Sequence, residues 1–208
     1  MTKDNILYFT GDWDEDCEIM ESILDMVEFK SGTARRKMYK QKDGTGGSML
    51  YGLTWKGYLS KTKSRTNSMF KGLYKTKPMD DHPELDDIFK QFANQHFPDF
   101  RYTQVQMNKN FHCGKHLDST NTGESILCAF GHKYKGGKTC VDFNGNVKKY
   151  DARVKPVKFD GAKHEHWVES WTGGPRYTLV FFDNLKNRKL IMRSLSLSDL
   201  VSGKNPLQ

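Results

Sequence analysis

The sequence predicts an α+β fold: helices flanking a jelly roll or sandwich of short strands. Two observations predict it. Apolar residues recur at helical spacing in two early segments. From Arg101 onward, short apolar and aromatic runs alternate with glycine-containing turns. A length of 208 residues allows one domain with a sizeable core.

Residues 14–28 read as the first helix. Cys17, Met20, Ile23, Leu24 and Val27 form its apolar stripe, with acids on the other face. Residues 82–97 read as the second. Pro83 suits a first turn, Glu84, Asp86 and Asp87 favour an N-terminal end, and Leu85, Ile88, Phe89 and Phe92 share one face. Strands are expected at 101–108, 124–130, 138–143, 146–150, 154–159, 166–170, 176–183 and 189–193. Asn144-Gly145 is a hairpin signal, because both residues tolerate positive φ. Residues 31–77 read as short aromatic segments, Ser48–Leu53 and Trp55–Leu59 among them, between glycine and serine turns. Residues 196–208 read as a short helix or turn with a frayed end. The expected layout is an N-terminal extension over residues 1–80 and a core over residues 81–208, together one compact domain.

Charge is distributed unevenly. The net charge is +8, yet residues 1–29 hold nine acids against Lys3. Residues 30–77 hold thirteen bases against Asp43, with Tyr39, Tyr51, Trp55, Tyr58, Phe70 and Tyr74 interleaved. Bases beside flat aromatic rings suit a phosphate backbone with stackable bases, and Arg35, Arg36 and Lys37 are the densest cluster. The same pattern also reads as a solvated face balanced by the acidic helix. No apolar run reaches membrane-spanning length, and no basic-then-apolar leader opens the chain. A soluble intracellular protein, in cytoplasm or nucleus, is the expectation. Four cysteines without a Cys-x-x-Cys pair fit free thiols, with Cys128 and Cys140 in the core.

The chemistry-bearing residues lie in the strand-rich half. His116 and Asp118 are two apart, so on a strand both point to one side. With one later histidine they complete a two-histidine, one-carboxylate set that leaves half of an iron(II) octahedron open. The third ligand is His166 or His164. His166 is favoured because it opens the next strand. His164 then becomes a supporting group or a substrate contact. His112 and His132 read as loop or surface residues, and His82 and His96 carry no signal. Zinc hydrolysis is weakly supported, since no cysteine cluster and no His-Glu-x-x-His is present. A cupin would place its His-x-His early, whereas His116-x-Asp118 comes first here.

A longer string then stands out: Gln106-Met107-Asn108-Lys109-Asn110; His116-x-Asp118-x-x-Asn121-x-Gly123-x-Ser125; Gly131-x-x-Tyr134-x-Gly136-Gly137; Phe159-Asp160-Gly161; and Gly173-Gly174-x-Arg176-Tyr177-Thr178-Leu179-Val180-Phe181-Phe182. It resembles the iron(II)- and 2-oxoglutarate-dependent dioxygenases, and among them small algal, protist and viral members related to the TET/JBP nucleic-acid oxygenases. The resemblance covers roughly residues 83–185, about half the chain. It implies a double-stranded β-helix, a distorted jelly roll, with flanking helices. It implies His116, Asp118 and His166 as iron ligands, with iron(II), 2-oxoglutarate and O2 as cofactor and co-substrates. Arg176 would pair with the far carboxylate of 2-oxoglutarate, as a guanidinium suits. Thr178 would add a hydroxyl, Asn108 and Asn110 would touch the co-substrate, and Asn121 and Ser125 would shape the substrate mouth. Asn108 and Asn110 also read as turn caps.

The implied reaction is hydroxylation of a C–H bond, coupled to decarboxylation of 2-oxoglutarate to succinate. A methyl or alkyl group on a nucleic-acid base is the leading substrate, flipped out and stacked on aromatic residues. Lys133 and Lys135 would meet phosphates. A protein or peptide hydroxylase and a small-metabolite oxygenase are the alternatives.

Overall fold

Strand alternation sorts this chain into an apolar outer layer and a polar interior wall. The computed structural model describes residues 8–30, 46–56 and 72–184. The helices are α1 (Trp13–Asp25), α2 (Lys77–Asp81) and α3 (Leu85–His96). The strands are β1 (Gly47–Lys56), β2 (Gly72–Lys75), β3 (Gln104–Lys109), β4 (Ser125–Phe130), β5 (Tyr134–Gly136), β6 (Thr139–Phe143), β7 (Asn146–Tyr150), β8 (Val157–Phe159), β9 (His166–Val168), β10 (Trp171–Gly173) and β11 (Tyr177–Phe182).

Among the described residues the larger sheet has six antiparallel strands in the order β2-β1-β3-β11-β4-β8. Three strands, β7-β6-β9, form a second sheet, and β10 pairs with β5. The fold is a double-stranded β-helix with flanking helices. In the larger sheet Met49 pairs with Met107, Met107 with Leu179, and Leu179 with Cys128. Directly paired residues share a face. This face meets Met20 and Leu24 of α1 and Leu85, Ile88, Phe89 and Phe92 of α3 in one core cluster. Burying each such side chain contributes about 1.5–3 kcal/mol. The cluster joins residues on both sides of position 80, because β1 is hydrogen-bonded to β3.

The opposite face carries Ser48, Asn108 and Thr178 in register, then Leu50, Gln106 and Val180, then Gly52, Gln104 and Phe182. A smaller cluster of Ala129, Val141, Ala152, Val157 and Phe159 closes the space between the sheets.

Local signals explain some element ends. Asp12 caps α1 by accepting from the backbone N–H of Asp14 and Glu15. The second helix is shorter than the expected span of 82–97: α3 starts at Leu85, the first residue of its apolar stripe, with Pro83 ahead of it, and α2 is a separate turn. The Asn144-Gly145 hairpin forms between β6 and β7, with φ of 56° and 92° at the two residues. Ser48–Leu53 and the start of Trp55–Leu59 belong to one continuous strand, β1. The ribbon of β5 and β10 has no sequence expectation behind it, since each strand is three residues long. The strand expected at 189–193, the terminal segment 196–208 and most of the basic segment lie outside the described residues. Cys17, Cys113, Cys128 and Cys140 are free thiols, and Cys128 and Cys140 are buried in the core. Burial and the neighbouring acids of α1 push the Cys17 thiol up to about 12, so it stays protonated.

Candidate metal centre and anion pocket

His116 and His166 face each other across an isolated bridge. The backbone N–H of each donates to the carbonyl of the other, at 3.1 and 3.0 Å. The backbone N–H of Asp118 donates to the Gly161 carbonyl at 2.8 Å. These bonds bring one ligand atom from each of His116, Asp118 and His166 within 4.8 Å of one another. Nε2 of His116 is 3.6 Å from Asp118 Oδ1, and Nε2 of His166 is 3.5 Å from Asp118 Oδ2.

The outer nitrogens settle which atoms face inward. Nδ1 of His116 lies 2.8 Å from the Gly114 carbonyl, and Nδ1 of His166 lies 3.0 Å from the His164 carbonyl. A carbonyl can only accept, so each Nδ1 donates outward, and each Nε2 is the nitrogen turned to Asp118. Cys113 Sγ lies 3.3 Å from Nδ1 of His116. Asn121 Nδ2 donates to Asp118 Oδ2 at 3.4 Å and to Ser125 Oγ at 3.3 Å. The set is two imidazoles and a carboxylate, each oriented by a second hydrogen bond, which fits a divalent iron.

A cavity of about 330 Å³ runs from this group along the inner face of the larger sheet. Among the described residues, Asp118 and Arg176 are the only Asp, Glu, Lys or Arg side chains that line it. Arg176 is 4 % exposed, and no described carboxylate pairs with it. Its Nη2 donates to the Gly137 carbonyl at 3.1 Å, while its Nε is buried without a partner. The rings of Tyr134 and Trp171 lie 5.7 and 5.3 Å from the guanidinium carbon. Burial lowers its pKa, yet a guanidinium stays charged. A buried cation without a counter-ion is costly, and an anionic ligand removes that cost.

The remaining expected residues divide. Asn108 and Thr178 line the cavity: Ser48 Oγ donates to Asn108 Oδ1 at 2.7 Å, and Asn108 Nδ2 donates to Thr178 Oγ1 at 3.0 Å. Asn121 lines it as well, with Ser125 buried behind. Asn110 does not line it. With φ of 49°, it brackets Arg176 instead, accepting from the Arg176 N–H through Oδ1 and donating its own N–H to the Arg176 carbonyl. His164 is also outside the cavity lining, with its ring 4.6 Å from that of Phe143. Lys133 and Lys135 flank Tyr134 and do not line the cavity. His112 stacks on Trp171, His132 bonds Glu21, and His82 lies beside Glu84. Arg35, Arg36 and Lys37 lie outside the described residues.

Sequence reasoning missed Gln104, Gln106 and Thr139, all of which line the cavity. The two glutamines donate their Nε2 to the backbone carbonyls of Leu53 and Met49, at 2.9 and 2.6 Å, which leaves each Oε1 as the unengaged atom. The signal was present in the alternation Gln104-Val105-Gln106-Met107-Asn108. It reads as a strand with a solvated polar face, whereas that face is interior.

No family model matches the chain, and no curated protein matches it. Among solved structures, it is similar to an oxidoreductase of the 2OG-Fe(II) oxygenase family from Burkholderia pseudomallei. Identity is 19 %, the TM-score is 0.38, and 54 % of this chain and 60 % of that chain are covered, so under two thirds of that protein is spanned. It is similar to NgTET1 in complex with 5mC DNA, with 16 % identity, a TM-score of 0.45, and 87 % and 75 % covered. It is similar also to a prolyl hydroxylase from Trichoplax adhaerens in complex with a hypoxia inducible factor oxygen degradation domain peptide, with 12 % identity, a TM-score of 0.45, and 88 % and 84 % covered.

Proposed function

We propose that this chain is an iron(II)- and 2-oxoglutarate-dependent dioxygenase that hydroxylates a C–H bond on a nucleic-acid base. The carrying observation is the pairing, in one cavity, of a His116–Asp118–His166 cluster with a buried Arg176 that has no described counter-ion. A metal alone needs no such cation, and a dicarboxylate that also reaches the metal uses both. Bound by His116, Asp118 and His166, iron(II) supplies the oxygen chemistry that couples decarboxylation of 2-oxoglutarate to hydroxylation of the substrate.

The protein's own residues bind and orient. Arg176 holds the far carboxylate, with Tyr134 and Trp171 fixing the guanidinium. Thr178 donates its hydroxyl proton to the same carboxylate, since its oxygen already accepts from Asn108. Asn121 steadies Asp118. Phe111, Phe159 and Val168 keep water from this end of the cavity. A wall without further charge among the described residues suits an uncharged target group, and the amides of Gln104, Gln106 and Asn121 suit the hydrogen-bonding edge of a flipped base. The basic, aromatic sequence of residues 30–77 supplies the phosphate and stacking contacts.

The test is succinate release with iron(II) and 2-oxoglutarate, in the presence of methylated DNA, methylated RNA, peptides or no substrate. A rise with nucleic acid alone is expected. A rise with peptide alone refutes the base assignment and leaves the oxygenase. His116→Ala and Asp118→Ala are expected to abolish succinate release while the far-ultraviolet circular dichroism stays unchanged. Full activity in either variant refutes the ligand set.

A further inference from the structure

Arg176 Nε is not the only buried polar atom in the cavity without a partner. The hydroxyl of Thr139 is another, on a residue only 3 % exposed. Thr139 opens β6, in the three-stranded sheet, whereas Arg176 leads into β11 of the six-stranded one. Register fixes the direction of its side chain. On the β6–β9 ladder, Val141 pairs with His166 and Thr139 with Val168. Paired residues share a face, so Thr139 faces the cavity beside the ligand His166.

Thr139 is also close to Arg176 along the chain. The carbonyl that accepts from Arg176 Nη2 belongs to Gly137. Two residues span at most about 7 Å. A carboxylate has two oxygens, so one such group can take a guanidinium from one side and a hydroxyl from the other. Thr139 and Arg176 line the same cavity, and Thr139 follows by two residues the glycine that Arg176 bonds, so one ligand can meet both.

We infer that Thr139 is a further anchor for the far carboxylate of 2-oxoglutarate, which is thereby held between the two sheets, by Arg176 from one and by Thr139 from the other. This rests on the co-substrate reading above. The bound co-substrate then also ties the smaller sheet to the larger one next to His166.

The test is calorimetric titration of the manganese(II)-loaded protein, without turnover. Two ligands are compared: 2-oxoglutarate, and 2-oxopentanoate, which has the same chain but no far carboxylate. The wild type should bind 2-oxoglutarate the more tightly. Thr139→Val, nearly the same shape, should weaken 2-oxoglutarate about tenfold, the loss expected for one hydrogen bond to a charged group. It should leave 2-oxopentanoate and manganese affinity unchanged, and Thr139→Ser should restore 2-oxoglutarate binding. Wild-type affinity in Thr139→Val overturns the inference, the hydroxyl then being satisfied by water alone. Equal weakening of both oxo acids also overturns it, because the role is then structural. If the wild type itself does not distinguish the two oxo acids, the co-substrate reading fails, and the inference fails with it.

Discussion

Gly161 occupies a position where any side chain presses on two candidate ligands. A Cβ there would lie 3.3 Å from His166 Cε1 and 3.4 Å from Asp118 Oδ2. Its carbonyl also receives the Asp118 N–H, so residue 161 fixes Asp118 from both sides. Gly161→Ala should therefore displace the ligands by a few tenths of an ångström without unfolding the chain. A loss of about tenfold in iron(II) or manganese(II) affinity is expected, the scale of supporting-residue effects at metal sites. Metal titration checks it, and the thermal midpoint of the metal-free protein should barely move. Unchanged affinity would mean that the ligand cluster relaxes around a methyl group. At this scale the sequence was informative about residue type and silent about convergence. The sequence favours His166 over His164 only because His166 opens the next strand, and both would face one way on a strand. The structure separates them, because the His164 carbonyl takes the Nδ1 proton of His166 while its ring turns to Phe143.

β11 shows how one strand divides its work between its faces. Leu179 is fully buried against the helices, and Thr178, one residue before it, lines the cavity. Leu179→Ala should cost about 3 kcal/mol, through lost transfer energy and a cavity that the flanking strands cannot close. Thr178→Ala should cost about 1 kcal/mol, the net worth of its bond from Asn108, and should act chiefly on 2-oxoglutarate binding. Urea unfolding of both variants gives the comparison, and equal destabilisation would refute the division. The strands themselves were legible because period-two alternation is local. Which face is interior was not, since β3 gains its polar neighbours Ser48 and Thr178 from positions 60 and 70 residues away.

Across the whole molecule, α1 fastens the helical layer to both ends of the fold. The indole N–H of Trp13 donates to the Arg153 carbonyl, the Tyr177 hydroxyl donates to Asp25, and Glu21 accepts from His132. The most buried tie is Asp16. Its carboxylate accepts from the backbone N–H of Thr10 and Gly11 and meets His96 Nε2 at 2.8 Å. Burial pushes the Asp16 pKa up, but these hydrogen bonds outweigh it, and the carboxyl is held below its ordinary value. A lowered folded-state pKa stabilises the fold above the unfolded value of about 3.9, and that stabilisation is lost as pH falls through the folded value. Asp16→Asn should be about 2 kcal/mol less stable at pH 7, since its amide cannot accept all the buried hydrogen bonds that the carboxylate takes. It should also lack this part of the wild-type loss below pH 4. Urea midpoints measured from pH 7 to pH 3 test both, and wild-type stability at pH 7 would refute the tie. Residues 14–28 place acids on the solvated side of the helical stripe, and Asp16 departs from that reading because His96, eighty residues away, reaches it.

By itself, the sequence determined what is encoded over a few residues: the apolar stripes of α1 and α3, the period-two strands, the Asn144-Gly145 hairpin, and the His-x-Asp and Arg-x-Thr pairs on which the proposed chemistry rests. Tertiary structure alone decided which residues meet. It joined His116 to His166, enclosed Arg176 without a described counter-ion, turned Gln104 and Gln106 inward and left the Thr139 hydroxyl without a partner. The physical reason is that side-chain alternation follows from backbone geometry at each residue, whereas convergence depends on pairings between strands far apart in the chain.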